Sequence, residues 1–152
     1  MTLRRHSRQV ALQLLFQREF LAGVGGTSPS AEFAPRGLEA EPPVLLHDFI
    51  FNFRIEQDVA SYAGTLFLGV CQHIASIDAL IEKHSQHWKI SRMSLVDLSI
   101  LRLAIFELRF GDEKIDRPVI LDEAVELAKE FGSSESAAFV NGVLDPIANT
   151  SI

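Results

Sequence analysis

The stretch Pro118-Val119-Ile120-Leu121-Asp122-Glu123-Ala124-Val125-Glu126-Leu127-Ala128-Lys129-Glu130-Phe131-Gly132 is followed by Ser133-Ser134-Glu135-Ser136-Ala137-Ala138-Phe139-Val140-Asn141-Gly142-Val143-Leu144-Asp145. Proline stands where a helix begins, glycine where it stops, and serines where the next helix takes its N-cap. Ile120, Ala124, Leu127, Ala128 and Phe131 recur on one face of the first segment, and Val140, Val143, Leu144 and Ile147 on one face of the second. The pattern predicts a helical hairpin, with Gly142 allowing close helix contact and Asp145-Pro146 bending or ending the second helix. Phe139 falls off the inward stripe, where it either covers a neighbour or stacks on an unpaired base.

Upstream, Ser94 to Phe110 is apolar on nearly every side, as expected of a helix wrapped by its neighbours. Arg102 and Glu107 interrupt it, and each needs a partner there because an unpaired buried charge is costly. Asp97 sits near the helix start, where negative charge is favourable. From Gln57 to about His87 the apolar positions return to one face, predicting a single long helix with Gly64 and Gly69 marking close approach of neighbours. Trp88 is expected to plug the junction that follows. Val44 to Phe53 reads as a short helix. Residues 23 to 43 hold four of the nine glycines and four of the six prolines and read as a flexible linker.

Residues 3 to 22 read as the first helix, with Leu3, Val10, Leu14 and Leu21 on one stripe. A second ladder, Leu12, Phe16 and Phe20, lies nearly opposite, so the helix is either sandwiched or offers a face to a partner. Its front carries Arg4, Arg5 and Arg8. Cations oppose the helix macrodipole at that end by a few tenths to about 1 kcal/mol each when exposed. Two readings stay open: a solvated terminus, or phosphate capture by guanidinium groups.

The 152 residues carry a formal charge of -6, yet residues 1 to 18 hold four arginines and no acid, a basic head on an acidic body. That balance argues against a protein that coats nucleic acid generally. With 47% hydrophobic residues the chain is expected to form one domain spanning 1–152 with its own core. Cys71 is the only cysteine, which excludes an intrachain disulfide. No apolar run approaches the roughly 20 residues of a membrane span, and no secretory signal is recognised; a soluble, cytoplasmic protein is expected. No phosphate loop, dinucleotide fingerprint, metal-ligand spacing or nucleophile motif occurs, so no enzyme, metal or cofactor is expected.

Arg4-Arg5-His6-Ser7-Arg8 with Ala11-Leu12-Gln13-Leu14-Leu15-Phe16, then Ile100 to Leu108, Glu123 to Lys129 and Phe139 to Asp145, resemble the NusB family of transcription antitermination factors. The resemblance covers almost all of the chain outside the 23 to 43 linker. It implies an all-α fold, two three-helix bundles sharing the long region in one compact domain. It also implies binding of single-stranded boxA RNA of ribosomal RNA operons together with ribosomal protein NusE, within an antitermination complex on RNA polymerase. By position, Arg4, Arg5, Arg8 and Phe139 match the family's RNA side, and Phe16 and Asp97 its NusE-facing side. His6 stands where a further arginine is common, Phe16 where tyrosine is frequent, and Asp122 where asparagine is usual. Two alternatives remain: a protein-only helical adaptor, and a stand-alone relative of the N-terminal RNA-binding domain of ribosomal-RNA cytosine methyltransferases, the chain having no room for that catalytic domain.

Overall fold

The computed structural model describes residues 2–21, 41–85 and 87–150, so most of the expected 23–43 linker lies outside the described residues. Seven α-helices and one 3-10 turn make up the regular structure of this part, and it contains no strand. They are α1 (Leu3–Leu21), α2 (Pro42–Phe53), α3 (Gln57–Gln72), α4 (Ile74–His84), α5 (Leu95–Arg109), α6 (Arg117–Phe131) and α7 (Ser136–Asn149), with the 3-10 turn at Ile90–Arg92 before α5.

The core is built around α5. Leu98 through Glu107 are all buried, the consequence of an apolar sequence on every side. Helices α1 and α3 pack on one another and on α5, with α2 against α3; α6 and α7 pack on one another and on α5, with α4 bracing α5 and α7. This grouping is consistent with two three-helix bundles, and α5 is the element common to both. Ser94 caps α5 through its hydroxyl, which accepts the Asp97 N–H at 3.1 Å.

The hairpin forms with Pro118 in the first turn of α6 and Gly132 at its end, but the N-cap position of α7 is Glu135, without a side-chain cap, rather than one of the expected serines. Ile120, Ala124, Leu127 and Ala128 are buried, as are Val140, Val143, Leu144 and Ile147, whereas Phe131, expected on the same inward stripe at the end of α6, is exposed. Gly132 keeps an extended backbone, φ -95°; its requirement is steric, because a Cβ there would collide with the Ser136 side chain. Ser136 is buried, and its hydroxyl accepts the Ser133 N–H at 2.9 Å, tying the turn.

Four further local expectations are corrected. The long helix breaks at His73 into α3 and α4, bent by 75°, and the His73 ring stacks on Phe110 at the corner, centroids 4.7 Å apart. Helix α7 continues through Pro146 to Asn149. Gly142 has no neighbour within 4 Å of where a Cβ would stand, so it marks no close helix contact. Trp88 does not plug its junction: it is 55% exposed. The close approaches at Gly64 and Gly69 are real. A Cβ on Gly64 would stand 3.1 Å from Leu46, and one on Gly69 would clash with the Phe106 ring.

Candidate nucleic-acid and partner interface

The basic head occupies the first turns of α1, and the fold supplies a carboxylate to each of its three arginines. Arg4 pairs with Glu113 in the α5–α6 loop, and its guanidinium lies 3.7 Å from the centre of the Tyr62 ring. Arg5 is exposed and grips Glu123 on α6 with two bonds, Nε at 3.1 Å and Nη2 at 2.8 Å. This bidentate contact holds the Glu123 carboxyl below its ordinary value near 4.5.

Arg8 behaves differently. It is buried, and its Nε and Nη2 donate to the two carboxylate oxygens of Glu107 at 2.8 and 2.9 Å. Tyr62 donates its hydroxyl to the same carboxylate at 2.8 Å. Burial and the Glu107 charge push the Tyr62 hydroxyl far above its ordinary value. Glu107 therefore has the partner its sequence demands, and Arg8 locks α1 to α5 rather than presenting its charge to solvent. Arg102 is satisfied in the same way at the other end of the α1–α5 contact, by Asp78 on α4 at 2.9 Å and Glu19 on α1 at 3.2 Å. Between α1 and α6, Gln9 donates to Glu130 at 3.1 Å, so polar side chains bridge the seam between the two helix groups.

At the far end of that seam lies an apolar cleft of about 330 Å³, lined by Leu12, Gln13 and Phe16 of α1, Val96 of α5 and Phe131 of α6. The second ladder of α1 thus divides: Leu12 is buried, whereas Phe16 and Phe20 are 38% and 42% exposed and stacked on one another at 6.1 Å. Val96 lines the cleft with Phe16, whereas Asp97, the next residue of α5, is not among the lining residues. One Asp97 carboxylate oxygen is buried with no hydrogen-bond partner among the described residues.

Phe139 stands half-buried on α7, against the core. Its ring partner is Trp88, at 6.4 Å between centroids and 80° between planes. Among the described residues no hydrogen bond, ion pair or ring contact joins Phe139 to the three arginines, which lie on a different helix group. Trp88 was missed as a candidate surface residue. The signal available was the lack of acids from Lys83 to Arg92, a run that includes Lys83, Lys89 and Arg92.

Among the described residues no group of three or more His, Cys, Asp and Glu side chains is placed to hold a metal ion. Among the described residues no single helix is long and apolar enough to cross a membrane.

A family model described as the NusB family matches residues 5–149. The transcription antitermination protein NusB of Bdellovibrio bacteriovorus is 36% identical over 149 residues, covering 97% of this chain and 96% of that protein. Its counterpart from Myxococcus xanthus is 41% identical over 145 residues, covering 95% and 94%. Among solved structures, T. maritima NusB is 31% identical with a TM-score of 0.78, over 97% of this chain and 92% of that one. A crystal structure of antitermination factors NusB and NusE in complex with dsRNA is similar at 28% identity and a TM-score of 0.76, over 97% of each chain. With the residues matched by the family model spanning nearly the whole helical body, and with relatives aligned end to end, the chain belongs to the NusB family of transcription antitermination proteins.

Proposed function

We propose that this protein binds the single-stranded boxA element of nascent ribosomal RNA together with ribosomal protein NusE, and joins a cytoplasmic antitermination complex on RNA polymerase. The observation that carries this reading is the near full-length similarity to a NusB captured with both NusE and RNA. Within it, Arg4 and Arg5 contact phosphate directly, because they are exposed and have the fork geometry that suits phosphate oxygens. Arg8 serves the same surface from beneath, holding α1 on α5 through Glu107. Phe139 supplies an aromatic surface on α7. Phe16, at the apolar cleft beside α1, α5 and α6, and Asp97, in the first turn of α5, face NusE.

The test is titration of labelled boxA-like RNA at several salt concentrations, with and without NusE. Binding is expected to weaken steeply with salt, as phosphate contacts release counterions, and to tighten when NusE is present. The variant to compare is Arg4→Ala/Arg5→Ala, which leaves the buried Arg8–Glu107 pair intact. Equal affinity of variant and wild type would remove the head from the RNA site. Phe16→Ala should lower the NusE-dependent gain while leaving binding of RNA alone unchanged.

A further inference from the structure

The stretch between α4 and α5 combines a fixed backbone with an exposed aromatic. The Trp88 N–H donates to the Ser85 carbonyl at 2.9 Å, and the Ser85 hydroxyl donates back to the Trp88 carbonyl at 3.0 Å. Ser85 itself is buried. Just beyond, Arg92 and Met93 donate backbone N–H groups to the carbonyls of Lys89 and Ile90 at 2.9 and 3.1 Å, closing the 3-10 turn. The indole is thus carried on an anchored loop, and yet 55% of the residue is exposed. Tryptophan, apolar in body with a polar N–H, is among the residues enriched at interfaces.

Two observations say what it would take. First, Trp88 and Phe139 pair at 80° with centroids 6.4 Å apart, so the exposed indole belongs to a two-ring aromatic surface. A purine or pyrimidine can stack on the exposed part of such a surface. Second, Lys89 and Arg92 follow Trp88 in the chain by one and four residues, both are exposed, and neither has a carboxylate within ion-pair distance among the described residues. Trp88 and Lys89 share a hollow of about 720 Å³ with His87 and Glu82. Aromatic faces interleaved with free cations suit an unpaired nucleotide, whose base stacks while its phosphate meets the cation.

We propose that Trp88, with Phe139 beside it and Lys89 and Arg92 following it in the same connection, is a stacking site for an unpaired base of the bound RNA. The site rests on the RNA-binding reading above and adds to it a second contact region, carried by the α4–α5 connection rather than by the head.

Trp88 is the only tryptophan in the chain, so its emission reports on this site alone. RNA binding is followed by anisotropy of a labelled boxA-like single strand and, in parallel, by tryptophan emission with the unlabelled strand. Quenching that saturates with the anisotropy curve is expected. Trp88→Ala should lose roughly 5- to 150-fold in affinity, the range for one lost stacked base, with its salt dependence unchanged, and Trp88→Phe should retain most of the binding. Lys89→Ala/Arg92→Ala should instead flatten the salt dependence. If the wild type binds by anisotropy while emission stays constant and Trp88→Ala binds equally well, the stacking site is overturned and RNA binding stands. Absence of any binding, with NusE or without it, would overturn both.

Discussion

The protein has two basic stretches, and they hold their charge in opposite ways. In the head of α1 the arginines are committed: Arg4 to Glu113, Arg5 to Glu123, Arg8 to Glu107. In the run from Lys83 to Arg92 the three cations lie in the open without carboxylate partners among the described residues. On the sequence alone the head is the stronger attractant, and the connector reads only as a helix end with Trp88 plugging the junction. Folding reverses part of that ranking, because the acids that neutralise the head come from α5, the α5–α6 loop and α6, far away in the chain. Charge available to a polyanion is set by what the fold leaves unpaired as well as by the count of arginines in a row.

The largest effect expected from breaking the head is on stability. Arg8→Ala leaves the Glu107 carboxylate buried beside Tyr62 without its cation, and loss of one partner of a buried pair costs about 3–5 kcal/mol. Denaturant titration should show it as a lowered midpoint with a similar slope. Replacing both partners, as Arg8→Met/Glu107→Leu, should restore much of the loss, since no orphan charge is then buried. A double variant as unstable as Arg8→Ala would mean that the pair contributes through more than mutual neutralisation. The connector should behave in the contrary manner. Lys89→Ala/Arg92→Ala is expected to leave the midpoint within about 0.5 kcal/mol, as surface changes do, and to reduce the salt slope of single-stranded RNA binding by about 0.7 for each phosphate contact removed.

How much of this was legible in the chain depends on the distance between partners. The α6–α7 hairpin could be read because Pro118, Gly132 and the apolar period are local signals, and the need of Arg102 and Glu107 for partners followed from their apolar surroundings alone. Which partners they take was not legible: Arg8 and Glu107 are 99 residues apart. The break at His73 was hidden because the apolar period continues through it and no proline marks it; packing on α5, with His73 against Phe110, sets the bend. Pro146 misled in the other direction, since α7 carries it internally. For the candidate site, the first turns of α1 could be read as a place for Arg4 and Arg5, which the fold leaves exposed. The burial of Arg8 and the pairing of Phe139 with an exposed Trp88 required the fold.

Releasing one head arginine tests the comparison more gently. In Glu123→Gln the Arg5 fork loses its charged partner and a negative charge leaves the surface proposed to face RNA. Affinity for single-stranded RNA at low salt is expected to rise roughly two- to five-fold, in keeping with the modest strength of exposed ion pairs. An unchanged or weaker affinity would show that Glu123 orients Arg5 for phosphate rather than competing with it.

The same pair predicts a small pH effect, and its sign follows from the shift at Glu123. The carboxyl is held below its ordinary value near 4.5 in the folded protein, chiefly by its hydrogen bonds with Arg5. Its contribution to stability is therefore present at pH values above 4.5 and is lost as pH falls through the lower, folded value. Glutamine cannot titrate, so Glu123→Gln should melt slightly below the wild type at neutral pH. The two melting curves should converge as the pH is taken down from about 5 toward 3. Thermal melts of both proteins across that range measure the difference directly. A gap that stays constant to pH 3 would show that Glu123 acts in the fold through packing or neutral hydrogen bonding rather than through its charge on Arg5.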